Sequence, residues 1–256
     1  MKYFFKDPGS IKGLVWIATP ENTELEYLSY ARIKLPTNEV LVHNNKENES
    51  VIVCMSGESF IEVNNEKYFL KKHSAIYIPK ETEFKIVALE NFDGALFSAP
   101  AERKYEVFLA DIDKILGGPE KHRIVGGENC KREVIKLIDE EVKADRLLVG
   151  VTWTMKGNWS SWPPHEHGAL LEEIYVFYDM EEKAFGIQLV YDDFDKVYFS
   201  GIVRNGDAVI IPRGYHPNVA APGFELKYIW AMCARKPREY RVYGKVNIQK
   251  GYEKVR

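Results

Sequence analysis

Three histidines stand close together in the second half of the chain. His165 and His167 occupy alternate positions in the stretch WSSWPPHEHGALLEEIYVFY (159–178), which also carries two adjacent glutamates. His216 follows the Pro-x-Gly turn of GDAVIIPRGYHPN (206–218). Three imidazoles and one carboxylate suit a divalent transition metal and leave positions open for water or a substrate. The residues therefore predict a metal site.

The spacing of the first two histidines suits a strand at the rim of a barrel. Residues i and i+2 of a strand point to the same face, so His165 and His167 can both reach one ion. The two prolines before them cannot donate to a strand ladder, which is typical of an edge position. Glu172 and Glu173 alternate faces, so only one of them can point towards the ion.

The composition is that of a globular protein and argues against a nucleic-acid-binding or membrane-spanning protein. The 35 Lys and Arg residues are balanced by 38 Asp and Glu, for a net charge of −3, so we expect no nucleic-acid-binding surface. No apolar run reaches the roughly 18 residues that cross a bilayer, and MKYFFKDPGS is interrupted too early for a signal peptide. The three cysteines lie far apart, which is typical of reduced thiols. We expect a cytoplasmic protein without a membrane partner.

The apolar runs are short and rich in Val, Ile and Tyr, which favours strands. In residues 1–115 and 146–256 these runs recur at the interval that is typical of the strands of a sandwich or barrel. Residues 116–145 contain paired glycines and then an apolar spacing compatible with an amphipathic helix. That spacing is formed by Val134, Ile135, Leu137, Ile138 and Val142. We predict a mainly β protein of two modules joined by a short helical connection.

The two halves repeat one pattern. SAIYIPKETEF around Pro79 matches DAVIIPRGYHP around Pro212, and SVIVCMSG (50–57) matches EIYVFYDM (173–180). Two copies of one β module are the simplest explanation.

The copies differ at the residues that could do chemistry. Ser50 stands where the second half has Glu173, and Glu83 stands where it has His216. His43 in the first half has no histidine neighbour in the sequence. We therefore predict a degenerate first module and a metal-binding second one.

The second half resembles the cupin signature. That signature has a His-x-His pair, a glutamate leading the next strand, and Gly-x5-Pro-x-Gly followed by a histidine. Gly206, Pro212 and Gly214 fit it, and His216 follows one residue sooner than usual. The resemblance implies a bicupin of two tandem antiparallel β-barrel (jelly-roll) modules.

Four segments point to a particular group of cupins: GGENCKREV, GNWSSWPPHEH, LEEIYVF and GYHPNVAAPGFELKYIWAM. They resemble the family of the 5-deoxy-glucuronate isomerase of inositol breakdown and the 4-deoxy-5-threo-hexosulose-uronate ketol-isomerase of pectin breakdown. The resemblance is strong over residues 124–235. It implies an aldose–ketose isomerase that acts on a deoxy-uronate such as 5-deoxy-glucuronate.

The resemblance also implies a ligand set of His165, His167, His216 and a glutamate. The family glutamate stands directly before the Ile/Val-Tyr of its strand, which selects Glu173 and leaves Glu172 as the second choice. This choice lengthens the gap from His167 by one residue, which Gly168 can absorb. Zinc is the first choice of metal, with Mn, Fe, Co and Ni as alternatives.

Two further functions follow from the same resemblance. The link of residues 168–170 is shorter than the corresponding loop of the inositol isomerases, which would suit a hydrolase that opens a diketo-inositol ring by carbon–carbon cleavage. A non-catalytic sugar-binding cupin is the other alternative. By analogy with related barrels, we also expect a homo-oligomer.

The sequence offers candidates for the remaining roles without deciding among them. The general base is not identified, and its candidates are Glu172, Tyr175, Tyr191 and Tyr215. Polar side chains expected to bind a sugar acid or keto-inositol are Lys156, Gln188, Arg213 and Tyr215.

Overall fold

The computed structural model describes residues 2–254, in which antiparallel strands dominate. The strands of the first half are β1 (Phe4–Phe5), β2 (Gly13–Ala18), β3 (Ser29–Leu35), β4 (Val40–Asn44), β5 (Asn48–Ser56), β6 (Glu58–Val63), β7 (Glu66–Lys71), β8 (Ala75–Ile78), β9 (Glu83–Ala88), β10 (Phe92–Pro100) and β11 (Phe108–Ala110). A six-stranded sheet has the order β11-β8-β5-β10-β3-β2 and faces a four-stranded sheet β4-β9-β6-β7. Apolar side chains from both sheets, such as Ile52 and Ile61, fill the space between them.

The connection and the second half follow. Their elements are α1 (Ile112–Ile115), β12 (His122–Val125), β13 (Arg132–Ile138), β14 (Leu147–Thr154), β15 (Trp159–Ser160), β16 (His165–Glu166), β17 (Leu171–Phe177), β18 (Gly186–Asp193), β19 (Lys196–Val203), β20 (Ala208–Ile211), β21 (Asn218–Ala220), β22 (Leu226–Ala234) and β23 (Asn247–Ile248). The large sheet has the order β1-β20-β17-β22-β14-β13-β12, and a smaller sheet has the order β15-β21-β18-β19. β16 pairs with β23 alone. No helix among residues 2–254 is long and apolar enough to span a membrane.

The two large sheets repeat one strand order. β8-β5-β10-β3-β2 of the first half corresponds to β20-β17-β22-β14-β13 of the second. The register agrees as well, because Ser50 pairs with Ile78 just as Glu173 pairs with Ile211, each directly before a proline. The repeat found in the sequence is therefore also a repeat in strand order and register.

The large sheets pack against each other through the faces turned away from their own barrels. Val51 and Val53 of β5 belong to one buried cluster with Ile174 and Val176 of β17. Both central strands are buried on their two faces, since one face lines a barrel and the other meets the second sheet. Successive residues of β17 therefore point into different environments.

A pair of buried glutamates joins the halves reciprocally. The Glu49 carboxylate of β5 accepts hydrogen bonds of 2.7–2.9 Å from the backbone N–H groups at 145–147, where β14 begins. The Glu172 carboxylate of β17 accepts bonds of 2.6–2.8 Å from the N–H groups at 26–28, just before β3. Burial raises the pKa of both carboxyls, and these N–H donors act against that rise. We call this symmetric pair the glutamate latch.

The helix predicted from the apolar spacing after residue 133 is wrong. Four of the five apolar residues lie in β13, which pairs with β12 and β14, and Val142 lies beyond the end of that strand. A register shift between Lys136 and Ile138 marks a bulge at Leu137, so Leu137 and Ile138 are both buried and strict alternation is lost. The resulting spacing imitates that of a helix. The helix of this region is α1, which lies just before the segment 116–145.

Candidate metal centre

The three histidines come together in the barrel of the second half. His165 lies in β16, His167 directly follows that strand, and His216 lies between β20 and β21. One ring nitrogen from each lies within 4.8 Å of the others. The i and i+2 positions thus place two imidazoles beside a third that comes from 49 residues further along the chain.

Glu173 completes the cluster. Its Oε2 lies 3.2 Å from Nε2 of His167 and 3.3 Å from Nε2 of His216. The glutamate is only 3% exposed and belongs to the face of β17 that lines the barrel. The Glu173 carboxylate is therefore a fourth potential metal-binding group, which lies against two of the three imidazoles.

The other glutamate faces away from this point. Glu172 is engaged in the glutamate latch, and its Oε2 also lies 3.8 Å from the Arg235 guanidinium. Gly168 has a φ of +57°, in the left-handed region that favours glycine, within a turn closed by the hydrogen bond from Leu170 N–H to the His167 carbonyl. This turn accommodates the longer gap between His167 and Glu173.

Hydrogen bonds to the backbone fix the orientation of two imidazoles. Nδ1 of His165 donates to the Pro163 carbonyl at 3.0 Å, and Nδ1 of His216 donates to the Gly214 carbonyl at 2.9 Å. Because a carbonyl only accepts, each neutral ring presents the lone pair of Nε2 to the cluster. Within the described residues, Nε2 of His216 is buried without a hydrogen-bond partner. A cation at the centre would satisfy it, so the donor set fits a divalent metal.

The electrostatics favour neutral imidazoles. Burial lowers the pKa of His165 and His167 to about 4 and that of His216 to about 3. Burial also raises the pKa of Glu173 to about 7. Unprotonated imidazoles are the form that binds a metal, so the site is prepared for a cation at neutral pH.

A cavity of about 170 Å³ opens beside the cluster. Its walls come from β13, β14, β17 and β22, from the segment before β16, and from the segment before β23. The lining residues are Arg132, Val134, Thr152, Ser160, Ser161, His165, His167, Glu173, Tyr175, Tyr228, Trp230, Met232, Tyr243, Gly244 and Val246. The cavity thus combines metal-binding groups, hydroxyl groups, one guanidinium and an apolar wall.

None of the four residues predicted to bind substrate lines this cavity. Lys156 is exposed on a turn, and Arg213 is 54% exposed and pairs with Glu24. Tyr215 packs its ring on Tyr191. These placements argue against direct contact between the predicted residues and a ligand in the cavity.

The fourth of them, Gln188, is fully buried behind the cluster. Its Nε2 donates to the His216 carbonyl at 3.0 Å, and its Oε1 accepts from Asn218. Gln188 therefore supports the backbone that carries His216.

Among the four candidates for the general base, Tyr175 alone lines the cavity. Its hydroxyl lies 2.6 Å from Oγ of Ser161. Burial raises the pKa of Tyr175 well above its ordinary value, so the hydroxyl keeps its proton at neutral pH. Tyr191 lies outside the cavity, and its hydroxyl donates to Oε1 of Gln249.

Sequence reasoning did not find several cavity residues. Ser160 and Tyr228 form a second hydroxyl pair at 2.6 Å. Tyr243 comes from the segment that leads into β23, whose pairing with β16 brings the end of the described chain over the site. Arg132 stands in GGENCKREV, a stretch noted in the sequence without a role. The positions of these residues depend on strand order, which spacing along the chain does not reveal.

Comparison with known proteins agrees with this architecture. The chain is 31% identical over 239 residues to a 5-deoxy-glucuronate isomerase of Geobacillus kaustophilus, covering 87% of this chain and 85% of the relative. It is 30% identical over 267 residues to the enzyme of that name from Bacillus subtilis, covering 95% and 96%.

Solved structures show the same fold. An IolB-like protein from Salmonella typhimurium superposes with a TM-score of 0.83 at 23% identity, covering 99% of this chain and 98% of that one. A cupin 2 conserved barrel domain protein from Leptotrichia buccalis gives a TM-score of 0.54 at 15% identity, covering 88% and 91%. The predicted mainly β cupin fold is thus confirmed. The chain matches the KduI/IolB family over residues 5–249 and belongs to that family.

Proposed function

We propose that this protein is a divalent-metal-dependent isomerase that converts the aldose 5-deoxy-glucuronate into its ketose. The observation that carries the proposal is the cluster of three imidazoles beside a cavity, with the Glu173 carboxylate against two of them. Relatives at about 30% identity that carry the name 5-deoxy-glucuronate isomerase support the choice of substrate. Zinc is the first metal to test, followed by Mn, Fe, Co and Ni.

His165, His167, His216 and Glu173 would hold the cation. A divalent cation supplies a Lewis acid that polarises a carbonyl group and lowers the barrier to proton removal at the neighbouring carbon. The Nδ1 hydrogen bonds of His165 and His216 keep their rings aimed at one point throughout.

The chain's hydroxyl groups suit the proton transfers that an isomerisation requires at the substrate's oxygens. An aldose and its ketose differ by the movement of hydrogen between two adjacent carbons and their oxygens, without a net gain or loss of atoms. Tyr175 holds a proton at its phenolic oxygen beside Ser161, within the cavity wall. This pair can donate to a substrate oxygen and take a proton back.

An apolar part of the cavity wall lies beside Glu173 and Tyr175, whose cross-strand neighbours in β22 are Met232 and Trp230. Trp230, Met232 and Val246 line the cavity with apolar atoms, and the Tyr243 ring packs at a tilt against Trp230 with centroids 5.2 Å apart. A cavity with few waters strengthens the electrostatic interactions inside it.

The decisive experiment follows 5-deoxy-glucuronate by NMR in deuterated water with protein that has been stripped of metal and reloaded. We expect the ketose to form with deuterium at the carbon that receives the proton, and only after reloading. The His216→Ala variant serves as the control for adventitious metal.

Other outcomes separate the alternatives. A metal-loaded protein that leaves the uronate unchanged and opens a diketo-inositol ring to an acid would assign the hydrolase instead. Sugar binding that survives loss of His165 and His216, without turnover of either substrate, would assign a binding protein.

A further inference from the structure

Residues 126–131 of the stretch GGENCKREV form the loop between β12 and β13, and Arg132 is the first residue of β13. Gly126 has a φ of +90°, and a Cβ added there would lie 1.9 Å from the Cys130 carbonyl oxygen and 2.9 Å from Nη1 of Arg132. A side chain at this position would displace the backbone that holds the guanidinium. The loop geometry therefore depends on glycine at the point where it contacts Arg132.

Two backbone carbonyls hold the guanidinium in place. Nη1 of Arg132 donates to the Cys130 carbonyl and Nη2 donates to the Trp162 carbonyl, both at 2.8 Å. A guanidinium has five N–H donors, so these bonds leave others free for a ligand. Trp162 precedes His165 by three residues, which ties the guanidinium to the segment that carries the first two histidines.

This positive charge has no acidic partner in the described part of the chain. The ion pairs found among residues 2–254 do not include Arg132. In the described part of the chain, the single carboxylate in the cavity wall belongs to Glu173, which lies against His167 and His216. Among residues 2–254, Arg132 is also the one Lys or Arg side chain that lines the cavity. A partly buried, immobilised and unpaired guanidinium is suited to an anion that arrives from outside.

We infer that Arg132 binds the carboxylate of the substrate and makes the site selective for sugar acids over neutral sugars. This inference rests on the proposed function for the identity of the substrate. With its carboxylate at Arg132, a hexuronate would direct its aldehyde end towards the histidine cluster. The fixed guanidinium then supplies both affinity and orientation.

The test compares Arg132→Gln and Arg132→Lys with the control Arg123→Gln. Arg123 is an exposed arginine of β12 that does not line the cavity, so its exchange removes the same charge from the neighbouring strand. Two substrates are used: 5-deoxy-glucuronate and 5-deoxy-glucose, which has an alcohol in place of the carboxylate. Calorimetry measures binding of the acid obtained by reducing the aldehyde of 5-deoxy-glucuronate, which cannot isomerise. Metal content and Tm are measured for every variant.

For Arg132→Gln we expect kcat/KM on the uronate to fall by at least about 30-fold, mostly through KM, because a charge-assisted hydrogen-bonded pair is lost. The Kd of the reduced acid should rise by a similar factor. Activity on 5-deoxy-glucose, metal content and the Arg123→Gln variant should stay unchanged, and Arg132→Lys should recover part of the affinity.

Equal losses on both substrates would show a merely structural role for Arg132 and overturn the inference, as would an unchanged Kd for the reduced acid. Should Arg132→Gln fail to fold, Arg132→Lys decides by the same ratio of the two substrates. Wild-type protein that isomerises no uronate would contradict the proposed function alone. The change in Kd of the reduced acid would then still decide the role of Arg132.

Discussion

The two halves share a strand order and register, but the corresponding residues near the start of β5 and β17 make different contacts. In the first half, Oγ of Ser50 donates to Oδ1 of Asn45 at 2.6 Å, and Nδ2 of Asn45 donates to the carbonyls of Ile78 and Pro79. In the second half, the position of Ser50 is taken by Glu173, which contacts two of the three clustered imidazoles. A neutral hydrogen-bond network thus stands where the other half gathers metal-binding groups.

The barrel interiors differ accordingly. Apolar side chains fill the first barrel. One of them is Cys54 of β5, which occupies the position that corresponds to Phe177 of β17 in the second barrel. The second barrel keeps a cavity lined by hydroxyl groups and the histidines. The glutamate latch, by contrast, occurs in both halves. The repeated residues hold the fold together, and the residues that are not repeated are those that could do chemistry.

Removing a histidine of the candidate metal centre in the second half should have the largest effect on activity. We expect His216→Ala to lower kcat/KM by about 1000-fold or more, since loss of the metal removes several kcal/mol of transition-state stabilisation. The matched variant is Glu83→Ala, at the corresponding but exposed position of the first half. It should leave metal content and activity unchanged. Equal losses in the two variants, measured by metal analysis and steady-state kinetics, would contradict the asymmetry of the halves.

The glutamate latch predicts symmetric losses of stability. Glu49→Ala and Glu172→Ala each leave three backbone N–H groups without acceptors at the interface of the sheets. We expect each to lower the free energy of unfolding by about 3 kcal/mol or more, measured by urea denaturation. Glu49→Gln and Glu172→Gln keep one acceptor oxygen and should cost less.

Metal affinity should distinguish Glu172 from Glu49, the two residues of the glutamate latch. Glu172 is adjacent to Glu173 in β17, whereas Glu49 is adjacent to Ser50 in the other half. Glu172→Gln should therefore also lower metal affinity, and Glu49→Gln should not. A large loss of stability at one glutamate with none at the other would show that the resemblance of the two contacts has no energetic counterpart.

Removing the side chain that supports the His216 backbone should have an intermediate effect on metal affinity. Gln188→Leu removes the donor to the His216 carbonyl while keeping a buried side chain of similar size. Groups that orient a metal ligand commonly contribute 10- to 100-fold in affinity, so we expect a rise in metal Kd of about that size. A metal titration by competition with a chelator measures it, and an unchanged Kd would assign Gln188 to packing alone.

The sequence predicted site residues that are close together in the chain better than site residues that only the strand order brings together. The His165 and His167 pair and the Pro-x-Gly turn before His216 follow from neighbouring residues. The choice between the two adjacent glutamates needed the resemblance to the family. Arg132 and Tyr243 reach the cavity through the strand order β13-β14-β22-β17 and the pairing of β16 with β23. Such contacts join positions far apart in the chain, and periodicity carries no information about them.

One prediction failed and another does not match the cavity, each for an identifiable physical reason. The apolar spacing at 134–138 indicated a helix because the bulge at Leu137 interrupts the alternation of β13. Lys156 and Arg213 were chosen for their charge, but charge alone does not indicate where a side chain points. Arg132, with the same charge, was passed over within a segment whose resemblance had been noted.

The exchange of those surface cations should have the smallest effect and completes the comparison with Arg132. We expect Lys156→Ala and Arg213→Ala to change kcat/KM on 5-deoxy-glucuronate by less than about threefold. Both side chains are exposed, Arg213 already pairs with Glu24, and a surface ion pair contributes about 0–1 kcal/mol. Steady-state kinetics at two salt concentrations distinguishes general attraction of an anion from direct contact. A loss of tenfold or more at Arg213 that persists at high salt would place the substrate at the surface turn rather than in the cavity.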